Sequence, residues 1–255
     1  MTFFGAFLRR LGGWIAVADL VALMGDLDLD EQAVRSAVSR LKRRGVVASE
    51  RRDGAAGYRL TARGLAILEA GDARIFGRLD GGGAGGDWLL VVFSIPEERR
   101  ALRHQLRTRL QWLGLGTVAS GVWIAPAHAE SEVRRAIAGL GLDGHVDLFR
   151  GDHLGDREAV ATWWDLDAIA AEYRAYVRAW EPAAANGRRP RDADAFAAYI
   201  RQLDAWRRIP FHDPGLPAAV LPDEWPGGHA WEVFRALERR LSRPALRHVE
   251  GRVGR

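Results

Sequence analysis

The stretch "DEQAVRSAVSRLKRRGVVASERR", Asp30 to Arg52, decides how the chain is read. At about 100° per residue, Ala33, Val34, Ala37, Val38 and Leu41 fall inside an arc of about 140°. Gln32, Arg35, Ser36, Ser39, Arg40, Lys42 and Arg43 take most of the opposite side. The spacing predicts a helix with one face for a core and one polar face. Its apolar residues are small, which permits close approach to a preceding helix. Gly45 follows, and "VVASERRDGAAGYRL" then offers two short strand-like runs around Asp53-Gly54, a hairpin signal.

Working outward, "TFFGAFLRRL" is a short helix candidate closed by Gly12-Gly13, and "VADLVALM" is a second, with Val17, Leu20, Val21 and Met24 at helical spacing. "GDLDLD" supplies a turn and a choice of acidic N-caps for the Asp30 stretch. Thr61 caps a further helix through "RGLAILEAGDARIFG". Helix, turn, helix and a basic two-stranded hairpin is the order of a winged helix-turn-helix, whose second helix enters the major groove while the wing lies along the backbone.

The charge is placed accordingly. The net charge is +4, and residues 1 to 79 carry 13 Lys+Arg against 9 Asp+Glu, so the whole excess is N-terminal. Between Gln32 and Arg63 stand nine basic residues and two acids, a local +7 of the density that attraction to phosphate requires. Arginine forks suit guanine O6/N7 and glutamine suits adenine N6/N7. Gln32, Arg35, Ser36, Ser39 and Arg40 are therefore the candidates for base edges. Arg43, Arg44, Arg51 and Arg52 are the candidates for phosphates, which fix register without reading sequence. A plain solvated face is the competing reading, because any amphipathic helix turns its polar side outward.

Composition sets outer limits. The 48% hydrophobic and 27% charged residues are those of a globular chain. The absence of cysteine excludes a disulfide framework and a thiolate zinc site, and fits a cytoplasmic location. The N-terminal "MTFFGAFLRRLGGW" lacks a positive region ahead of a long apolar run and is not read as a signal peptide. No apolar run approaches the roughly 18 residues of a membrane span.

Beyond residue 79 the chain divides twice more. Residues 80–86, with Gly81 to Gly86 broken only by Ala84, cannot pack a core and are expected to form a flexible linker. Residues 87–150 read as β-α-β-β-α-β: "WLLVVFSI", a helix opened by Pro96 and closed by Gly114, "GTVASGVWIAP", "AESEVRRAIAGLG" and "HVDLFR". That order predicts a ferredoxin-like layer. Residues 151–255 read as mostly helical. The expected helices are "DREAVATWWDLDAIAAEYRAYVRAW", then, after the loop "EPAAANGRRPRD", "ADAFAAYIRQLDAWRRIPF", and, after a proline-rich stretch, "HAWEVFRALERRLS". The expected fold class is α+β, with a winged helix-turn-helix at residues 1–79, a ferredoxin-like domain and a helical C-terminal domain.

With these residues in view, the chain resembles the PaaX family of transcriptional regulators, named for repression of phenylacetic acid degradation genes. The resemblance is carried by "EQAVRSAVSRLKRRGVV" with "GYRLTARG", by "WLLVVFSIPEERRALRHQLRTRLQWLGLGTVASGVWIAP", and by "AWRRIPFHDPGLPAAVLPDEWPG", in that order over nearly the whole chain. It implies a homodimeric repressor on double-stranded operator DNA, released by an aryl-CoA thioester such as phenylacetyl-CoA, with no cofactor. The family's recognition helix corresponds to Glu31 to Arg44 here and its wing to Val46 to Leu60.

Other features compete for attention. Trp206, Arg207, Arg208 and His212 could hold an aryl ring and a CoA phosphate, since paired arginines suit phosphate and an indole suits an aromatic group. The plainer reading is a helix end packed by its tryptophan. The middle segment also resembles small ferredoxin-like nucleases associated with CRISPR systems, in which an aspartate ends the first strand. Ser94 stands at that place, and a hydroxyl is a poor ligand for a hard cation. His145, Asp152, His153 and Asp156 fit no metal spacing, "GGGAGG" lacks the lysine of a phosphate loop, and "SGVW" is not a nucleophile elbow. A third class, an interaction scaffold, would use the tryptophan-rich C-terminal helices as partner surface without an effector.

Overall fold

The computed structural model describes residues 1–77, 87–155, 159–160 and 162–253, so the linker expected at 80–86 lies outside the described residues, as do Asp156 and the start of the helix expected there. The fold is α+β with two antiparallel sheets. It divides into two compact units: Met1–Gly77 with Tyr176–Trp206 and His229–Arg255, and Arg78–Ala175 with Arg207–Gly228.

In the first unit a short π-helical segment, Phe4–Leu8, leads to β1 (Trp14–Ala16), α1 (Val17–Gly25) and α2 (Glu31–Arg43). β2 (Val47–Arg52) and β3 (Ala55–Leu60) form the expected hairpin, and α3 (Ala62–Phe76) follows. The hairpin turn has φ of 49° at Asp53 and 83° at Gly54. Two residues in the left-handed region match the twist of the flanking strands, which is why an Asp-Gly pair closes this loop. Pairing runs from Val47 opposite Leu60 to Arg52 opposite Ala55.

The sheet has a third strand that the sequence reading lacks. β1 pairs antiparallel with β3, placing Ala16 opposite Gly57, so the order is β1-β3-β2. A Cβ on Gly57 would lie 2.4 Å from the Trp14 ring and 2.6 Å from the Ile15 carbonyl. Only a residue without a side chain permits that approach.

Three later helices complete this unit. α6 (Leu166–Ala185) contributes its residues from Tyr176 onward, and α7 (Asp192–Trp206) and most of α9 (Gly227–Arg252) belong here too. Two of them correct the sequence reading. The loop expected from Glu181 is helical to Ala185 through Pro182, and the last helix runs through Pro244 to Arg252 instead of stopping at Ser242. A proline in a helix interior costs about 3 kcal/mol. Past Pro244 the cost is offset by packing, since Pro244, Ala245 and Val249 are all buried.

The second unit runs β4 (Trp88–Phe93), α4 (Arg100–Trp112), β5 (Gly116–Ala119), β6 (Val122–Pro126), α5 (Glu130–Ala138) and β7 (Val146–Gly151). Its sheet order is β5-β6-β4-β7, antiparallel throughout. Pro96 opens a 3-10 turn, Glu97–Arg99, and α4 begins only after it. Leu89, Val91 and Phe93 alternate along β4 and share a core with Trp123 and Ala125 of β6, Leu106 and Leu110 of α4, and Val133 and Ile137 of α5. Both helices therefore cover one face of the sheet. Trp88, on the other face, meets Trp163 and Trp164, and the Trp164 indole donates to the Gly114 carbonyl at 2.8 Å. The short α8 (Ile209–His212) also belongs to this unit.

Candidate nucleic-acid interface

α2 starts at Asp30, whose carboxylate accepts from the Ala33 backbone N–H at 2.8 Å. Its buried residues are Val34, Val38 and Leu41, and it lies against α1, whose Leu20, Leu23 and Met24 are buried as well. Ala37 is half-buried, whereas Ala33, which the helical arc placed on the core face, is exposed. The arc's edge thus lies in solvent, one turn into the helix.

Gln32, Arg35, Ser36, Ser39, Arg40, Arg43 and Arg44 are all exposed. Not all of their polar groups are idle. Arg35 pairs with Glu31 one turn back at 2.5 Å, and Arg43 donates to the Ser39 hydroxyl at 3.1 Å. An exposed i,i+4 pair contributes roughly 0.3–0.5 kcal/mol. So weak a pair is a small obstacle to another partner for Arg35. Arg40, Lys42 and Arg44 make no ion pair among the described residues. Positive charge in the last turn also complements the helix dipole, which accounts for part of this clustering without any ligand. It does not account for Arg51, Arg52 and Arg59, which lie on another element.

The end of α2 is locked to the next two elements. The Thr61 hydroxyl donates to the Gly45 carbonyl at 2.6 Å and accepts from the Gly64 backbone N–H at 2.9 Å, capping α3 while holding the turn after α2. The hairpin therefore projects from a fixed base. Near its tip Arg51 donates to the Gly54 carbonyl at 2.8 Å. Glu50 lies between Arg52 at 2.5 Å and Arg59 at 2.8 Å, and the Arg52 guanidinium rests 5.4 Å from the Trp14 ring centroid. Trp14, which sequence reasoning missed, thus braces the hairpin through a cation–π contact. Arg51, Arg52 and Arg59 are all exposed.

The four residues considered for an effector are placed differently. Trp206 is 2% exposed: its indole donates to the Ile75 carbonyl at 2.8 Å and stacks on Phe234 with centroids 4.6 Å apart. It belongs to the helical core of the first unit. In the second unit Arg207 is half-buried, Arg208 is exposed, and His212 is within 3.0 Å of Glu172. Beside it, the Tyr173 hydroxyl donates to the buried Asp213 carboxylate at 2.6 Å, and Asp213 also accepts from the Gly215 backbone N–H. At the end of β4, the Ser94 backbone N–H donates to the His145 carbonyl at 3.2 Å. Among the described residues no group of three or more His, Asp or Glu side chains is placed to hold a metal ion. No described helix is long and apolar enough to cross a membrane.

Comparison with known proteins matches most of the chain to one family. Residues 1–64 match the family described as PaaX-like protein, residues 83–162 the PaaX protein central Cas2-like domain, and residues 164–251 the PaaX-like protein C-terminal domain. The chain is 25% identical to the transcriptional repressor PaaX of Escherichia coli (strain K12), over 96% of its own length and 80% of that protein's. Its fold is similar to that of the uncharacterized protein Rv0674 from Mycobacterium tuberculosis, with a TM-score of 0.65, 22% identity and 96% of each chain covered. With three successive matches spanning the two sheets and the C-terminal helices, the resemblance read from the sequence holds, and the chain belongs to the PaaX family.

Proposed function

We propose that the protein is a transcriptional repressor that binds double-stranded operator DNA through α2 and the β2–β3 hairpin. The observation that carries this reading is a set of exposed basic side chains on two adjoining elements, with Arg40, Lys42 and Arg44 unpaired on or beside α2 and Arg51 and Arg52 on a hairpin fixed to its end. The order α1, α2, hairpin is that of a winged helix-turn-helix, which would set α2 in the major groove and the hairpin along the backbone. Gln32, Arg35, Ser36, Ser39 and Arg40 would then face base edges, and Arg43, Arg44, Arg51 and Arg52 the phosphates. In the second unit the strand order β5-β6-β4-β7 with two helices on one face supports a ferredoxin-like layer.

Kinship with a repressor supports regulation of transcription in the cytoplasm, and no enzymatic role is proposed. The finer elements rest on family membership: a homodimer, control of an aromatic, phenylacetate-type catabolic operon, and release by phenylacetyl-CoA or a related acyl-CoA. Of the residues considered for the effector, Arg208 and His212 have the exposure that a CoA phosphate needs, Arg207 is half-buried, and the Trp206 indole serves the core.

The test is a gel shift on DNA from upstream of the protein's own gene. Arg40→Ala should lower the preference for that DNA over a scrambled duplex by about 1–3 kcal/mol, as loss of one base contact does. Arg51→Ala should weaken both duplexes alike and reduce the slope of log affinity against log salt by about one. Binding by both variants indistinguishable from wild type would refute the assignment. Adding phenylacetyl-CoA should release the DNA and raise the melting temperature of the protein; neither effect with any acyl-CoA would favour an effector-independent interaction scaffold.

A further inference from the structure

The turn between α1 and α2 is held from outside the N-terminal segment. α1 closes with the Leu29 N–H donating to the Met24 carbonyl at 3.1 Å and the Asp28 N–H to the Gly25 carbonyl at 2.9 Å. This is a Schellman closure, which puts the residue after the cap in the left-handed region. That residue is usually glycine; here it is Asp28, at φ 64°. The short carboxylate side chain makes the conformation tolerable rather than favourable.

Side chains from α7 and α9 converge on this turn. Arg201 of α7 reaches the Asp28 carboxylate at 2.8 Å and the Leu27 carbonyl at 3.5 Å. From α9, His248 Nε2 meets one oxygen of Asp26 at 2.7 Å and Arg252 donates to the other at 2.8 Å. Asp26 and His248 are largely shielded from solvent, with side chains 23% and 13% exposed. The His248 ring also packs on Phe196 of α7, with centroids 5.3 Å apart, and Phe196 is buried against Phe3 and Phe7. The register of α9 beyond Pro244 is what brings His248 and Arg252 to Asp26, so the helical turns past the proline have a contact to make.

We infer that Arg201, His248 and Arg252 are positioning residues for DNA reading: together they form a brace by which the C-terminal helices fix the α1–α2 turn and thereby the attitude of α2. This rests on the proposed DNA-binding role of α2. None of the three need touch DNA. A ligand or partner that moved α7 or α9 would act on the α1–α2 turn through these contacts.

The test uses the full chain and DNA from upstream of its own gene, with a scrambled duplex as control. His248→Leu and the pair Arg201→Ala with Arg252→Ala should lower affinity for the upstream DNA by about tenfold, while circular dichroism stays that of wild type. Backbone N–H exchange at Leu27 to Asp30 should quicken. His248→Gln keeps a donor for Asp26 and should restore both readouts, which a merely space-filling role would not allow. If His248→Leu does not fold, the Arg201 and Arg252 substitutions carry the test, since both side chains are about half exposed. Folded variants with wild-type affinity and exchange would overturn the brace. A wild-type protein that binds neither duplex would instead overturn the DNA reading on which it rests.

Discussion

At Gly57 a missing side chain admits a strand. The 2.4 Å approach of a virtual Cβ to Trp14 means that Gly57→Ala would push β1 off β3 and disturb the contact between Trp14 and Arg52. Overpacking of this kind costs about 1–3 kcal/mol, so the variant should melt at lower temperature, and an unchanged melting curve would show that the strand moves freely. Glu238 of α9 is a second residue with a readable consequence. Burial pushes its carboxyl above the ordinary range, against the pull of the Tyr199 hydroxyl, Arg10 and Arg235, and its Oε2 and the Gln202 Nε2 are both buried without a protein partner among the described residues. A carboxyl whose folded-state pKa is raised favours the fold most while protonated. Its contribution is complete below the unfolded value and is lost as pH rises through the folded one. Glu238→Gln should therefore raise the melting temperature at pH 7 and leave it nearly unchanged at pH 4. An equal effect at both values would contradict the charge explanation.

Elements differ in how plainly the sequence announces them. α2 and the hairpin are legible because each obeys a local rule: helical spacing with an acidic cap at Asp30, and an Asp-Gly turn between short strands. β1 is not, because "WIA" is only three residues and its sole signature, Gly57, sits 41 positions away on the strand it pairs with. The helix carried through Pro244 is hidden for the opposite reason, since a local stop signal is overridden by burial farther along. The charged face of α2 was legible residue by residue, while the pairing of Arg35 with Glu31 and the support of Arg52 by Trp14 depend on side-chain packing. Asp30→Ala removes the α2 cap and should cost about 1 kcal/mol. The loss should appear as a lower melting temperature together with weaker DNA binding, and unaltered values of both would deny the cap its role.

Across the whole molecule, the least legible fact is that residues 176–206 and 229–255 form one compact unit with the first 77. No local pattern encodes such a return of the chain; it follows from complementary faces, such as Phe7 against Phe196 and Tyr199, and Phe76 against Phe234. A fragment ending at Gly77 would expose Phe3, Phe7 and Phe76 and lose the partners of Asp26 and Asp28. It should not unfold cooperatively on its own; a sharp two-state melt of that fragment would show that the C-terminal helices are dispensable to it. The division of labour that emerges is a basic surface presented by the N-terminal segment and aimed by helices encoded more than a hundred residues later. The measurement that tests this account most directly is a footprint of the full chain on DNA from upstream of its own gene, repeated with Arg40→Ala. The account predicts a protected region for the wild type, with two half-sites related by approximate two-fold symmetry, and its loss or weakening in the variant. Protection that is the same with Arg40→Ala, or none by the wild type, would contradict it.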